Sequence, residues 1–416
     1  MELVSPAGSA EKLAYAWEYG ADAAYVGLSR FSLRAKAENL GADDWQEVAR
    51  LKAAYAARGT PKRLFCAVNA VFHNDDVRDL ISSLDEMARY PFDAFILQDI
   101  GIAPILRERF PGAALHLSTQ ANCVNAWSAR AWRDLGFRRV VLGREASLAE
   151  IREIKDACPD LEIECFAHGA MCIAYSGRCL MSAYLAGRSA NAGSCSHPCR
   201  WEWKALARSE DLLLEERERP GEYFPVVEGD DYTALFSSRD LCMIDHVAEM
   251  RDAGVDSLKI EGRMKSIYYV ALVTQAYRKR IDEAAGLIAA ADAEPFAREV
   301  LNVPHRAYGT GFYFSREDAN QATRGGTDGP YLLAGTIGPR SGERTWAFNA
   351  MNKIVAGEPI EFVGPGIASI TAGDYEFVDP ETGERLEWVS HGHPALIRVD
   401  APIEERFLAR VRKPAR

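Results

Sequence analysis

The chain has 416 residues, of which 48% are hydrophobic, 26% charged and 10% aromatic, and its formal net charge is −11. This composition is that of a globular protein and excludes disordered, collagen-like and coiled-coil proteins. The negative charge excludes a protein coated with basic residues for nucleic-acid binding, but it allows a local basic pocket. At about 100–200 residues per domain, the length allows two domains, or one large domain with an appendage.

The segment Met1–Pro6 has neither the basic stretch nor the apolar core of a secretory signal peptide. No run of about 18 apolar residues occurs, so we expect no transmembrane helix and no membrane partner. Nine cysteines, an odd number, are typical of thiols in a reducing compartment rather than of a disulfide framework. We therefore expect a cytoplasmic protein.

Eight short apolar runs, with amphipathic stretches such as Trp45–Ala57 and Leu148–Ala157 between them, occupy residues 1–290. Strands that alternate with helices imply right-handed parallel crossovers, and eight such units in about 250 residues predict a TIM-like (β/α)8 barrel. An open doubly wound sheet is the alternative, although Ser5–Ser9 matches its glycine-rich phosphate loop poorly. The predicted strands are Glu2–Ser5, Ala23–Gly27, Leu64–Val68, Ala94–Gln98, Leu115–Ser118, Val140–Gly143, Glu162–Phe166 and Ser257–Ile260.

The regular spacing breaks after the seventh predicted strand. About 70 residues separate Phe166 from the next helical pattern, Leu241–Ala253, whereas most connections need only a few. In a (β/α)8 barrel, this excursion over residues 166–242 is the loop after strand seven and lies on the C-terminal face, where barrel enzymes place their chemistry. Its acidic middle, Glu210–Asp231, is predicted to be a solvated flap.

The sequence changes character after the predicted barrel. Residues 291–329 are interpreted as a connector in which an alanine-rich stretch precedes glycine and aromatic residues. Residues 330–416 contain strand-like runs such as Ile360–Val363 and Ala395–Val399, separated by turn signals. This pattern predicts a small, barrel-like, all-β domain at the C-terminus.

Five of the nine cysteines lie in or just after the long excursion, in segments rich in Gly, Ser and Arg. Thiolates clustered in loops bind soft metals, and four of them complete either a zinc site or an iron–sulfur cluster. The long spacer between the first two favours iron–sulfur over zinc, whose knuckles use short spacers. The alternative is that a cysteine is a small buried apolar residue, which we expect of the other four. The loop five are Cys172, Cys179, Cys195, Cys199 and Cys242, and the others are Cys66, Cys123, Cys158 and Cys165.

The stretch Glu164–Ser182 closely resembles the signature of peptidase family U32. Despite its name, this family is best understood as O2-independent hydroxylation proteins that carry a [4Fe–4S] cluster. The chain is most similar to the branch that makes 5-hydroxyuridine at the wobble position of tRNA, because of its C-terminal β domain and the pair Cys195–Cys199 before Arg200 and Trp201. Further similar segments are Asn191–Trp201, Ser238–Cys242, Lys259–Ser266, His305–Arg306 and Gly309–Tyr313.

The resemblance implies an iron–sulfur RNA-modifying hydroxylase that acts on tRNA and depends on prephenate, a small dicarboxylate and the expected oxygen donor. The resemblance identifies neither the electron donor nor a role for Cys199. The cluster ligands of the family fall on Cys172, Cys179, Cys195 and Cys242.

A dicarboxylate or a phosphate requires arginines near the strand ends, because the guanidinium group binds such anions bidentately. Arg34, Arg144 and Arg263 follow the second, sixth and eighth predicted strands and are the candidate substrate-binding residues. The alternative is surface ion pairing, with Glu145 and Glu261 as available partners.

His168 follows the seventh predicted strand and is a candidate general acid–base, or else a hydrogen-bonding residue that orients the loop. Glu164, within that strand, would need a partner inside the barrel and is expected to be structural. The strand ends Gln98–Asp99 and Ser118–Gln120 are predicted to line the mouth. Trp201 and Trp203, beside Arg200, form either a stacking surface for an RNA base or packing residues.

Two alternative functions remain. A U32-type, collagenase-like peptidase would need a nucleophile or a hydrolytic metal, but no Gly-x-Ser-x-Gly or His-Glu-x-x-His motif occurs. The other alternative is an iron–sulfur accessory protein for a different anaerobic hydroxylation.

Overall fold

The computed structural model describes most of the chain, which divides into two compact units. The barrel unit comprises Met1–Trp17, Ala21–Lys265 and Arg306–Gly326, and the C-terminal unit comprises Glu18–Gly20, Ser266–His305 and Thr327–Arg416. The described residues are 1–28, 30–33, 38–172, 174–175, 178–179, 181–186, 188, 190, 195–196, 199, 213–215, 223–225, 227–228, 233–234, 238–315 and 329–413.

Eight parallel strands close into a barrel in the barrel unit. The first seven pair in chain order, and the eighth, Ser257–Ile260, pairs with both the first and the seventh. Every one of the eight predicted strands is present, which confirms the TIM-like barrel. The strands of the unit are β1 Glu2–Pro6, β2 Ala23–Gly27, β3 Arg63–Val68, β4 Ala94–Leu97, β5 Ala114–Leu117, β6 Arg139–Val141, β7 Glu162–Ala170, β8 Leu213–Glu215, β9 Tyr223–Pro225, β10 Val227–Glu228, β11 Thr233–Ala234, β12 Asp240–Cys242, β13 Ser257–Ile260 and β14 Tyr308–Gly309.

Helices connect the barrel strands, and local sequence signals explain their bounds. Two of them run over the predicted ranges, and the later one begins with a capping box in which Ser147 and Glu150 bond each other's backbone N–H groups. The helices α1–α8 are Ala10–Glu18, Trp45–Ala57, Asn74–Met87, Ala103–Arg109, Ala126–Asp134, Leu148–Ala157, Met181–Ala186 and Val247–Asp252.

Strand β7 extends beyond its predicted end because β12 pairs with the extension. β12 runs antiparallel to β7, with Asp240 opposite Ala170 and Cys242 opposite His168. The prediction of a helix from residue 241 is wrong at its start, since that segment is a strand and α8 begins only at Val247. The guanidinium of Arg306 binds Asp240 at 2.6 Å, in an ion pair that is buried on both sides.

A buried ionic cluster occupies the barrel interior around Glu164, whose side chain has no exposed surface. Lys259 donates to one of its oxygens at 2.6 Å, and Arg139 donates to the other at 2.7 Å. Burial by itself raises the pKa of Glu164, but these two cations outweigh burial and hold that pKa at about 2. Glu164 therefore has the structural partners expected of a carboxylate inside the barrel.

The C-terminal unit contains two helices and an eight-stranded antiparallel sheet, which confirms the predicted all-β domain. Arg410, 2% exposed, pairs with Glu299 and with Glu361 and so joins the helical segment to the sheet. The helices are α9 Ile267–Ala284 and α10 Ala290–Ala297, and the strands are β15 Tyr331–Gly342, β16 Thr345–Ala350, β17 Ile354–Val355, β18 Ile360–Gly364, β19 Ile367–Ala372, β20 Tyr375–Val378, β21 Arg385–Leu386, β22 Trp388–Val389, β23 Pro394–Val399 and β24 Leu408–Arg412. Across the described residues, no helix has the length and apolar character that a membrane crossing requires.

Candidate active site at the barrel mouth

A cavity lies where the barrel strands reach their carboxyl ends. Apolar and aromatic side chains such as Tyr25, Ile96 and Phe166 form its walls. In (β/α)8 barrels, this end is the one that carries the catalytic residues. The polar residues of its lining are Asn69, Ser118, Thr119, Gln120, Arg144, Lys259, Glu261 and Arg263.

Arg144 enters the cavity after β6, as expected from its place in the sequence. Its guanidinium carbon lies 3.7 Å from the centre of the Phe166 ring, which fixes the planar group by stacking. Its Nη2 atom lies 3.8 Å from a carboxylate oxygen of Glu261, and the Arg144 side chain is 13% exposed. The predicted alternative partner was the neighbouring Glu145, but the closest carboxylate contact described for Arg144 comes from the end of β13.

Arg263 lies in the cavity lining after β13, and it is 3% exposed. Its Nη2 donates to the hydroxyl of Ser32 at 3.0 Å, and its Nη1 donates to the side-chain oxygen of Asn39 at 3.4 Å. Gly27, the last residue of β2, leaves the space for this guanidinium, because a Cβ there would lie 1.8 Å from Nη1. The absence of a side chain at residue 27 is therefore part of the site.

Lys259 is a third cation of the lining, and it is not among the site residues predicted from the sequence. Its ammonium nitrogen contacts Glu164 and lies 4.3 Å from the centre of the Tyr25 ring. The signal in the sequence was a lysine within the apolar strand Ser257–Ile260. A charged residue inside a barrel strand needs a buried partner, and Glu164 on β7 supplies it.

Hydroxyl and amide groups line the side of the cavity formed by β3, β4 and β5. Asn69 donates to the hydroxyl of Ser118 at 3.3 Å and accepts from the backbone N–H of Leu33 at 3.2 Å. Gln98 donates to the backbone carbonyl of Asn69 at 2.9 Å. The predicted strand end Ser118–Gln120 is thus in the lining, and Gln98 supports a lining residue.

His168 is 1% exposed and lies within β7, outside the residues that line the cavity. One ring nitrogen lies 3.4 Å from the hydroxyl of Tyr308. Its backbone carbonyl accepts from the N–H of Glu261 at 2.9 Å. These contacts match the hydrogen-bonding alternative, and the acid–base role stays a prediction.

Several predicted functional residues lie outside the described residues. They are Arg34, proposed for substrate binding, and Arg200, Trp201 and Trp203, proposed to stack on RNA.

All nine cysteines lie in the described ranges, and none of them forms a disulfide there. Burial raises the pKa of Cys66 and of Cys123 to about 12, so these thiols are inert, as expected of apolar residues. Cys158 and Cys165 are also buried. Cys172 is exposed, and the other four cysteines in or just after the excursion are partly exposed: Cys179, Cys195, Cys199 and Cys242.

The donor chemistry of the loop cysteines fits a [4Fe–4S] cluster, which takes four thiolates. Cys242 on β12 pairs in register with His168, and Cys172 follows the end of β7. Within the described ranges, no three His, Cys, Asp or Glu side chains form a group that could hold a metal ion. The ligand set Cys172, Cys179, Cys195 and Cys242 therefore stays a prediction.

Fold and site together define a (β/α)8-barrel protein with a cationic cavity at its catalytic end. Residues 8–323 match the model of peptidase family U32, and the chain belongs to this family. The resemblance inferred from the sequence is thereby confirmed.

Three relatives are similar to this chain over two thirds of its length or more. The tRNA hydroxylation protein P of Escherichia coli (strain K12) is 36% identical over 402 residues, which cover 88% of this chain and 86% of that protein. The tRNA hydroxylation protein P of Helicobacter pylori (strain 26695) is 33% identical, with 97% of this chain and 96% of that protein covered. The 23S rRNA 5-hydroxycytidine C2501 synthase of Escherichia coli is 36% identical over 282 residues, 68% of this chain and 39% of the synthase.

Proposed function

We propose that this protein is an RNA-modifying enzyme that hydroxylates tRNA, forming 5-hydroxyuridine at the wobble position without O2. The observation that carries the proposal is the 36% identity to the tRNA hydroxylation protein P of Escherichia coli across 88% of the chain. The similarity to an rRNA 5-hydroxycytidine synthase supports the same reaction class, hydroxylation of a pyrimidine. Cytoplasmic location follows from a tRNA substrate.

The small-molecule ligand in this proposal is prephenate. The cavity lining supplies Arg144, Lys259 and Arg263 to a compound with two carboxylates. A guanidinium binds a carboxylate through two parallel hydrogen bonds, so each arginine can hold and orient one carboxylate. Lys259 adds a positive charge whose position is fixed by the 2.6 Å bond of its ammonium group to the Glu164 carboxylate.

The hydroxyl and amide groups on the opposite side of the lining suit the edge of a base or a ribose. Ser118, Gln120 and Asn69 each offer both hydrogen-bond donors and acceptors. Single-stranded nucleotides are recognised through such contacts once a base is unstacked. We assign this side of the cavity to the nucleotide and the arginine side to the dicarboxylate.

The proposed cofactor is a [4Fe–4S] cluster held by Cys172, Cys179, Cys195 and Cys242. Such a cluster supplies electron transfer, or Lewis acidity if one iron is open. The chain's contribution is to keep these thiols accessible and to anchor Cys242, through the buried pair of Asp240 and Arg306, beside β7. An electron donor completes the proposal as an unidentified partner.

Mass spectrometry of tRNA nucleosides tests the function directly. A strain that lacks its own tRNA hydroxylation proteins is complemented with this chain, and we expect 5-hydroxyuridine or its derivatives to return. Unchanged nucleosides in the complemented strain would contradict the proposal. In that case, anaerobic purification with iron and sulfide analysis separates an iron–sulfur accessory protein from a protein without a cluster.

A further inference from the structure

The cavity lining has mixed charge. Within its described residues, Glu261 is the only carboxylate, and it lies among Arg144, Lys259 and Arg263. One of its oxygens lies 3.8 Å from Nη2 of Arg144 and 3.5 Å from the hydroxyl of Tyr25. A negative group inside a site for an anion opposes binding, so its presence requires an explanation.

The contact between Glu261 and Arg144 is an attraction without a hydrogen bond, because 3.8 Å exceeds the 2.7–3.2 Å of an N–H···O bond. Phe166 covers one face of the guanidinium at 3.7 Å. The N–H donors of a guanidinium lie in its plane, and stacking leaves that edge accessible. A carboxylate ligand would make the short bidentate contact that Glu261 does not make.

Glu261 also has one contact through its backbone and one through its side chain that hold it in place. Its backbone N–H donates to the carbonyl of His168 at 2.9 Å, and the Tyr25 hydroxyl approaches its side chain. Its side chain is 18% exposed and that of Arg144 is 13% exposed, so water screens their attraction only in part. A side-chain rotation that moves the carboxylate away loses its contacts with Tyr25 and Arg144.

We propose that Glu261 is a resident counter-ion that competes with the carboxylate ligand for Arg144. It keeps Arg144 in position in the empty cavity and weakens the hold of the site on the ligand, which favours release. Glu261 is thus a positioning residue that sets affinity. This inference rests on the proposed function for the class of ligand, a dicarboxylate.

The test is the binding of prephenate to the purified full-length protein, measured by anaerobic calorimetry at neutral pH. Glu261→Gln keeps the size of the side chain and an acceptor for Tyr25 but removes the charge. We expect Kd for prephenate to fall about tenfold. Removing one partly buried charge of the same sign as the ligand changes the binding free energy by about the equivalent of one pKa unit, which is a factor of about ten in affinity. Glu261→Asp keeps the charge, and we expect it not to tighten binding.

Asp76→Asn is the matched control. Asp76 lies in the first turn of α3, after β3 and so at the same end of the barrel, outside the described cavity lining, and its Oδ2 accepts from the N–H of His73 at 2.8 Å. Asparagine keeps that acceptor while it removes a negative charge from the same face of the barrel. We expect the affinity for prephenate to stay within twofold of the wild type.

Tighter binding by Glu261→Gln alone supports the role of Glu261, because loss of a merely structural residue does not increase affinity. Equal or weaker binding by a folded Glu261→Gln protein, with a wild type that binds prephenate, overturns the role and leaves the proposed function standing. If neither protein binds prephenate, the inference and the assigned ligand both fail. Hydroxylation is then judged from the tRNA nucleosides alone.

Discussion

Gly27→Ala tests the position of the Arg263 guanidinium, because it displaces this group without changing a charged residue. The added Cβ would lie 1.8 Å from Nη1 of Arg263 and 2.6 Å from Oδ1 of Asn39. A carbon and a nitrogen in contact need about 3.4 Å, so the guanidinium must move by roughly 1.5 Å. The guanidinium is the end of a flexible side chain, so it moves more easily than the backbone.

The expected cost to stability is small and the expected cost to function is large. Arg263 weakens its bonds to Ser32 and Asn39, which we estimate at about 1–2 kcal/mol in total. A misplacement of about 1 Å in a substrate-positioning group lowers turnover by about 100-fold. We therefore expect Gly27→Ala to form 5-hydroxyuridine about 100-fold more slowly while it unfolds within a few degrees of the wild type.

The assay pairs the rate of 5-hydroxyuridine formation in tRNA with thermal unfolding of the same preparation. Gly112→Ala is the matched control, because a Cβ there has no atom within 4 Å, and we expect wild-type rates. A folded Gly27→Ala protein with wild-type turnover would refute the placement of Arg263 in the site. Loss of folding would refute the assumption that only the guanidinium moves.

The remaining predictions rest on other contacts. Arg144→Gln should lower 5-hydroxyuridine formation at least tenfold and leave the absorption spectrum of the anaerobic protein unchanged; equal loss of the spectrum would contradict a role in substrate binding. Glu164→Gln should destabilise the fold by about 3–5 kcal/mol in denaturant titrations, because the buried Lys259 loses its carboxylate and Arg139 loses one of three. In the wild-type fold, the pKa of Glu164 is about 2, below its ordinary 4.5. The ionised Glu164 therefore stabilises the fold fully above pH 4.5, and this stabilisation is lost as the pH falls through about 2. A free energy of unfolding that stays constant over that pH range would refute this pH dependence. Cys172→Ser should lower the iron content of the anaerobic protein, whereas Cys66→Ser, at a buried thiol, should leave the iron per folded chain unchanged.

The barrel strands could be predicted from sequence because each is a local apolar run that is buried in the fold. β2 is buried over all five residues, and the predicted and observed ranges agree at Ala23–Gly27. The end of β7 could not be predicted in this way. Residues 167–170 are in a strand because β12, about 70 residues later, pairs with them, and no local pattern reports such a distant partner.

The barrel, the C-terminal sheets, the family and the arginines after strands six and eight were determined by the sequence alone. Periodicity, strand ends and motifs are local properties, so they can be read without knowing what each residue contacts. Only the tertiary structure decided that Phe166 stacks on Arg144, that Gly27 makes room for Arg263, and that Lys259 and Glu261 enter the same cavity. The physical reason is that barrel closure and strand register determine which distant side chains meet, and neither is encoded in a short stretch of chain.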